Sequence, residues 1–126
     1  MKTATIKTIG FIAALAAFSA PALADGDATK GKKVFNKCKA CHTIEEGKNK
    51  AGPSLFGVIG REAAAVKGFK YSKAMKASGL TWDEETIAKY LTKPKKLVPG
   101  TRMAFAGLKK EADIANVLAY LKANGG

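Results

Sequence analysis

The chain has 126 residues, with 22 lysines and arginines against 10 acidic residues, which gives a formal charge of +12. This length, with 47% hydrophobic and 25% charged residues, is typical of one small globular domain. Two cysteines are too few for a framework of several disulfides, and a single histidine excludes any site that needs two imidazole ligands.

The first 24 residues have the pattern of a secretory signal. Lys2 and Lys7 precede an apolar or small stretch over residues 9–20, and residues 22–24 fit the small-x-small cleavage pattern. This stretch is shorter than the roughly 20 residues of a membrane span, and an uncleaved N-terminal anchor is the alternative. We predict a cleaved signal over residues 1–24, a domain over residues 25–126 and export to the periplasm. Without the two lysines, 20 basic and 10 acidic residues leave a charge of +10.

The elements predicted after residue 25 begin with two helices. Apolar residues at steps of three and four predict a helix from Asp27, its N-cap, to about residue 40. The next segment, residues 47–68, is rich in Gly and in apolar residues, which predicts a long loop around an enclosed group. A short helix is predicted over residues 72–78, closed by Gly79.

Two more helices follow, and no alternating strand pattern competes with them. Thr81 and Glu84 have the spacing of a capping box, and the helix that they open must stop before Pro94. The last helix is predicted over about residues 110–123, with a stop at residues 125–126. The predicted fold class is therefore all-α, with long loops.

Both cysteines and the only histidine fall within five consecutive positions, Cys38-Lys39-Ala40-Cys41-His42. This is the attachment pattern for c-type haem, since two thiols one turn apart reach two vinyl groups and the next residue places an imidazole over the iron. A thioredoxin-like redox pair would need a βαβ setting, and a structural zinc site would need a fourth ligand. We predict one covalently bound haem c, held by Cys38 and Cys41, with His42 on the iron.

The sixth iron position has two candidates after the signal, Met75 and Met103. Met75 lies within a predicted helix, where core packing is the ordinary reading. Met103 follows Pro99 and Gly100 in a segment that bends into a loop, and a loop can carry a thioether across the haem. His/Met ligation raises the reduction potential and fills the coordination sphere, which favours an electron carrier over an enzyme.

Segments spread in order over nearly the whole chain after residue 25 carry a family resemblance. They are residues 31–35, 38–42, 51–55, 60–61, 68–71, 80–82, 90–91, 94–96, 99–105 and 118–121. In them the chain resembles mitochondrial cytochrome c and the bacterial class I cytochromes of the cytochrome c2 type. The resemblance implies a small cytochrome c fold of three to five helices wrapped around one haem. It also implies a soluble, monomeric electron carrier that cycles between ferric and ferrous states and is not an enzyme.

The resemblance also implies roles around the haem. The Pro53 carbonyl would accept a hydrogen bond from His42, and Phe35 would contact Tyr120 between the first and last helices. The remaining haem-environment residues would bind the propionates or surround the sixth ligand; they are Arg61, Tyr71, Trp82, Tyr90 and Thr101. For each aromatic, ordinary core packing is the alternative. Two departures from the mitochondrial pattern are Asn49 in place of a histidine and Met75 in place of a buried asparagine.

The positive charge would serve docking at the exposed haem edge. By resemblance, the docking residues are Lys37, Lys50, Lys95, Lys96, Arg102, Lys109 and Lys110. They would steer acidic redox proteins, with a quinol–cytochrome c oxidoreductase as donor and an oxidase, reaction centre, peroxidase or denitrification reductase as acceptor. Docking to these membrane complexes would be transient. A merely soluble basic surface is the alternative, and no linear motif for nucleic acid is present.

Two other functions stay open on the residues alone. A gas-binding or weakly peroxidatic haem protein would need an open or labile sixth iron position. A thiol–disulfide oxidoreductase would use Cys38 and Cys41 without haem.

Overall fold

The computed structural model describes Gly10 and residues 25–126, so the predicted signal over residues 1–24 lies outside the described residues, Gly10 apart. Five helices follow in order: α1 Ala28–Phe35, α2 Lys73–Ala77, α3 Glu84–Thr92, α4 Pro94–Leu97 and α5 Glu111–Ala123. Within the described residues, the only β-type pairing is an isolated bridge between Glu62 and Thr81. The prediction of an all-α fold with three to five helices is confirmed. None of these helices is long and apolar enough to cross a membrane.

Helix α1 begins as predicted, but it ends about five residues before the predicted end near residue 40. The Asp27 carboxylate accepts hydrogen bonds from the backbone amides of Thr29 (2.8 Å) and Lys30 (3.2 Å), as an N-cap does. At the other end, the Phe35 carbonyl accepts from the amides of both Cys38 (2.8 Å) and Lys39 (3.0 Å). This shared acceptor tightens the chain into turns. The hydrophobic periodicity could not show where α1 ends, because steps of three and of four residues keep Cys38 on the apolar face of the predicted helix.

The predicted capping box of α3 is wrong. The cap is Asp83, whose carboxylate accepts the Thr86 amide at 2.7 Å. Helix α3 cannot begin earlier, because the Trp82 amide donates to the Arg61 carbonyl and the Trp82 carbonyl accepts from the Gly60 amide, both at 2.8 Å. These tertiary bonds hold residue 82 extended, and Asp83 is the first position free to cap a helix.

Helix α3 stops before Pro94, as predicted, but the proline opens a further helix that periodicity did not predict. Pro94 is the first residue of α4 and is buried, and its carbonyl accepts from the Val98 amide at 3.0 Å. A proline is tolerated at this position because the first helical amide has no partner within the helix. Four residues are too few to show a hydrophobic period.

The first and last helices pack directly on each other. Gly31 lies so close to α5 that a Cβ built on it would stand 2.6 Å from the Asn116 carbonyl carbon and 2.8 Å from the Tyr120 Cβ. The rings of Phe35 and Tyr120 are 5.3 Å apart, so the contact that the resemblance implied is present. Buried residues of α5 complete this core; they are Ile114, Val117, Leu118 and Leu121.

Candidate haem site

The two cysteines and the histidine form one turn directly after α1. The Cys38 carbonyl accepts from the amides of Cys41 (3.1 Å) and His42 (2.9 Å), so both cysteines project from one side of a helical turn. Cys38 and Cys41 are not joined in a disulfide; Cys38 is half-buried and Cys41 is exposed. Burial raises the pKa of Cys38, although Lys37 opposes the rise. A reactive redox pair needs a lowered thiol pKa, so this environment does not favour the thiol oxidoreductase.

The imidazole of His42 is held in one tautomer. Its Nδ1 lies 2.7 Å from the carbonyl oxygen of Pro53, the partner that the resemblance implied. Because a carbonyl can only accept, Nδ1 carries the proton and Nε2 keeps its lone pair. Burial lowers the pKa of His42, while the bond to Pro53 opposes the change. The ring is therefore neutral at neutral pH, and the lone pair of Nε2 is available.

Gly52 lies directly against the ring of this imidazole. The sequence alone indicates no role for Gly52. A Cβ built on Gly52 would stand 2.8 Å from Nδ1 and 3.0 Å from Nε2 of His42. The Gly52 amide donates to the Cys41 carbonyl at 2.7 Å, and the Leu55 amide donates to the Thr43 carbonyl at 2.8 Å. These bonds clamp the Pro53 loop onto the histidine turn. Only the tertiary structure shows that the clamp requires a residue without a side chain.

Arg61 presents a donor that the protein does not use. Its Nη1 donates to the Phe56 carbonyl and its Nη2 to the Ser54 carbonyl, each at 3.0 Å. The Nε is buried and has no hydrogen-bond partner in the described part of the chain. Burial lowers the pKa of Arg61, but an arginine keeps its charge in proteins. A half-buried cation with a buried, unpartnered N–H calls for an anionic acceptor, and a haem propionate has that chemistry.

Asn49 and Ser54 fix the backbone beside Arg61. Ser54 is 3% exposed, and its amide donates to the Asn49 side-chain oxygen at 2.9 Å. Its hydroxyl donates to the Glu45 carbonyl at 2.5 Å. Sequence reasoning noted Asn49 only as a departure and gave Ser54 no role. Their hydrogen bonds position the carbonyl that holds Arg61.

Tyr71 and Trp82 flank the same region. The Tyr71 hydroxyl accepts the Val66 amide at 3.1 Å, which leaves its own proton free to donate. Trp82 is buried, and its ring lies 5.0 Å from that of Tyr90. These positions are compatible with the implied propionate contacts and equally show the core packing given as the alternative.

The segment that carries Met103 is anchored by Thr101. The hydroxyls of Tyr90 and Thr101 lie 2.6 Å apart, and the Met103 amide donates to the Thr101 hydroxyl at 3.3 Å. Burial raises the pKa of Tyr90, so its phenol stays protonated at neutral pH. Gly100, with a φ of 91°, makes the bend that was predicted before Met103. The structure therefore brings Tyr90, Thr101 and Met103 together.

Met75 lies in α2, as predicted, and is half-buried against the same hydrophobic core as Met103. Its carbonyl accepts from the Ser78 hydroxyl at 2.8 Å, which closes the short helix. A side chain fixed within a helix is less free to approach a metal than one on an anchored loop. Met103 therefore stays the predicted thioether ligand.

The donor set fits haem c and gives a zinc site no support. The turn supplies two thiols on one side, His42 supplies a nitrogen lone pair, and Arg61 supplies a buried Nε–H without a partner. In the described residues no group of three or more His, Cys, Asp or Glu side chains could hold a metal ion. One imidazole and one thioether suit an iron that already has four porphyrin nitrogens.

The predicted docking residues are all exposed. Lys95 and Lys96 lie on α4, at the edge of a surface groove of about 610 Å³ that also contains Phe105. Lys50 donates to the Lys39 carbonyl at 3.1 Å, which holds it beside the cysteine turn. The charge is therefore available to a partner both at this groove and beside the cysteine turn.

Comparison with known proteins agrees with this chemistry. The family model described as Cytochrome c matches residues 28–124. The chain is 58% identical over 89 residues to cytochrome c2 iso-2 of Magnetospirillum fulvum, covering 71% of this chain and 93% of that protein. It is 46% identical over 126 residues to cytochrome c-554 of Methylosinus trichosporium, covering 99% and 96%. The solved structure of cytochrome cH from Methylobacterium extorquens superposes with a TM-score of 0.74 at 46% identity, covering 78% of this chain and 99% of that one. The chain therefore belongs to the cytochrome c family, and it is an electron-transfer protein of the cytochrome c2 type that binds haem c covalently and is not an enzyme.

Proposed function

We propose that the chain is a periplasmic electron carrier in which Cys38 and Cys41 form the thioether links and His42 and Met103 are the axial ligands. The observation that carries this proposal is the bond between His42 Nδ1 and the Pro53 carbonyl, which leaves Nε2 as the ligand atom. When bound, the haem supplies one iron that changes between the ferric and ferrous states.

The surrounding residues would restrain both axial ligands. Gly52 and Pro53 hold the imidazole from its face and its edge. On the side of the proposed Met103 ligand, Tyr90 and Thr101 fix the backbone that carries the methionine. Restricting both ligands reduces the reorganisation that accompanies a change of iron charge, which suits a carrier that must exchange electrons quickly.

Arg61, Tyr71 and Trp82 would receive the propionates. Arg61 offers the unpartnered Nε, and Tyr71 offers a hydroxyl proton that no described hydrogen bond uses. A buried carboxylate is costly unless it is paired and hydrogen-bonded, so this donor set is what such a group needs. The Arg61 charge also favours the propionate anion.

Partner docking would use the basic residues around the haem edge. The exposed Lys95 and Lys96 beside the groove at Phe105, together with Lys37, Lys50, Arg102, Lys109 and Lys110, would steer acidic redox partners. We assign donors of the quinol–cytochrome c oxidoreductase class and acceptors of the oxidase, reaction-centre or reductase classes.

The chain would be exported by a cleaved signal over residues 1–24. The domain of residues 25–126 would then act as a monomer.

Replacement of Met103 tests the ligand assignment. In the haem-loaded protein, Met103→Ala should lower the reduction potential, because a weaker ligand than the thioether stabilises ferrous iron less, and should let carbon monoxide bind. Met75→Ala is the matched control, with the same side-chain loss at a half-buried position. Redox titration and visible spectra with carbon monoxide give both readouts. A normal potential in Met103→Ala with a lowered one in Met75→Ala would transfer the ligand to Met75. A large spectral change with carbon monoxide in the wild type would instead favour the gas-binding function.

A further inference from the structure

An acid-free stretch of 20 residues near the middle of the chain contains a regular row of lysines. Residues 63–82 contain no aspartate or glutamate, and lysines recur in them at intervals of three. We call the set the α2 row: Lys67, Lys70, Lys73 and Lys76. None of its members is among the docking residues assigned above. We propose that the α2 row extends the docking surface and selects partners whose acidic surface continues beyond the haem edge.

The α2 row is exposed, and none of its members takes part in an ion pair of the described chain. All four side chains are exposed. The three ion pairs in the described chain use Lys48, Lys89 and Lys122 instead. Lys73 and Lys76 are three residues apart in α2, so their like charges repel across one helix face. Four unpaired cations contribute nothing favourable to the fold electrostatically, and an external anion is the partner that their charge fits.

The scaffold under the row is rigid. The Tyr71 hydroxyl accepts the Val66 amide at 3.1 Å, and the rings of Phe69 and Tyr71 meet edge to face at 4.8 Å. Ser72 caps α2 by accepting the Met75 amide at 3.1 Å. The four lysines therefore project from a fixed surface, so that a partner would not have to order a mobile loop in order to bind them.

The row continues into the docking surface already proposed. A Cβ built on Gly100 would stand 3.2 Å from the Ala74 Cβ, so the bend before Met103 packs directly on α2. Ala74 lies next to Lys73 along α2, and Arg102 lies two residues beyond Gly100. The basic surface around the haem edge is thus continuous, through this contact, with the helix that bears Lys73 and Lys76.

The occupant that these features favour is an acidic protein rather than a bilayer. Stable membrane binding needs apolar anchors beside the basic residues. Phe69, which lies between Lys67 and Lys70 in the sequence, is half-buried and packed on Tyr71. The one exposed large hydrophobic side chain in the described chain is Phe56, which packs on Gly125 instead. A rigid, hydrated surface of lysines suits the carboxylates of a redox protein.

The experiment compares matched double charge reversals in the haem-loaded protein. Lys73→Glu with Lys76→Glu changes the α2 row, and Lys30→Glu with Lys33→Glu makes the same charge change, at the same spacing, on exposed residues of α1. Lys95→Glu with Lys96→Glu tests the haem-edge surface itself. Each protein is mixed in stopped flow with a purified bacterial cytochrome c oxidase and, separately, with a quinol–cytochrome c oxidoreductase. Unchanged melting temperature and reduction potential show that only docking is altered.

We expect the α2 variant to react about tenfold more slowly than the wild type with at least one complex at about 0.01 M salt, and nearly as fast at about 0.5 M. The α1 control should lose less than about twofold. The inference rests on the proposed function, and the variants separate the two. A slow Lys95/Lys96 variant beside a normal α2 variant overturns only the inference, whereas normal rates in both also remove the docking proposal.

A vesicle assay tests whether the α2 row binds a lipid bilayer instead of a protein. Binding of each variant to vesicles of phosphatidylglycerol and phosphatidylcholine is measured by co-sedimentation. If the α2 variant loses vesicle binding but keeps both electron-transfer rates, the row serves a bilayer and the inference is wrong. Equal losses of electron-transfer rate in the α2 and α1 variants would show an effect of net charge alone, which also contradicts it.

Discussion

Replacing Gly52 with alanine should displace the imidazole of His42 without straining the backbone. Gly52 is buried, and its φ lies outside the left-handed region that only glycine adopts freely. The added Cβ would stand 2.8 Å from Nδ1, where ordinary contacts begin at 3.4 Å, so the ring must retreat by at least about 0.6 Å. The backbone cannot retreat instead, because the Gly52 amide and carbonyl are bonded to Cys41 (2.7 Å) and Lys50 (3.0 Å).

The loss of stability expected for Gly52→Ala has two parts. Overpacking at a buried position costs about 1–3 kcal/mol, and a weakened bond between His42 Nδ1 and the Pro53 carbonyl costs about 1 kcal/mol. We therefore expect the free energy of unfolding to fall by about 2–4 kcal/mol, and the melting temperature by roughly 10–20 °C in a domain of this size. Because the imidazole is the haem ligand in our proposal, the reduction potential should shift too.

Urea unfolding of the haem-loaded protein and a redox titration measure both effects. Ala51→Ser is the control, since Ala51 is exposed and directly precedes Gly52; it should change stability by less than about 0.5 kcal/mol. A Gly52→Ala variant as stable as the wild type, with the same potential, would refute the packing argument. A loss of stability with an unchanged potential would show that the ring keeps its position while the loop absorbs the strain.

Two further changes test the helices. Gly31→Ala should separate α1 from α5 and lower stability by about 3 kcal/mol in urea unfolding, whereas Lys32→Ala on the exposed side should have little effect; equal effects would contradict the close-packing argument. The bond from the Thr86 amide holds the pKa of Asp83 below its ordinary value. A lowered folded-state pKa gives stability that is present above the unfolded pKa and lost as the pH falls through the folded one. Asp83→Ala should therefore melt several degrees lower at pH 7, the difference shrinking below about pH 4, and a constant difference would contradict this.

The chemistry of the site could be predicted from the sequence because it depends on short-range spacing. Cys38, Cys41 and His42 lie on one turn, and the bonds within that turn follow from their separation. The Pro53 contact came from resemblance, and the choice of Met103 over Met75 came from its place in a predicted loop. The contact is present in the structure, whereas the ligand choice stays a prediction.

Two of the features that the sequence did not predict depend on distant partners. Helix α3 is capped by Asp83 and not by the predicted Thr81, because the loop at Gly60 and Arg61 holds Trp82 extended. Gly52 has no local signature, since its importance comes from an imidazole ten residues away. A local pattern records which conformations a segment prefers, but it does not record which other segment occupies the neighbouring space.

The pairing of α1 with α5 has a consequence for the order of synthesis and folding. The Asp27 amide donates to the Asn116 side chain at 2.8 Å, across 89 positions of sequence. Helix α1 therefore cannot be buried until the end of the chain has been made, and contacts of such long range close slowly. Cys38 and Cys41 are synthesised early, directly after α1. Their thiols are thus open to covalent modification for as long as the rest of the chain is still emerging.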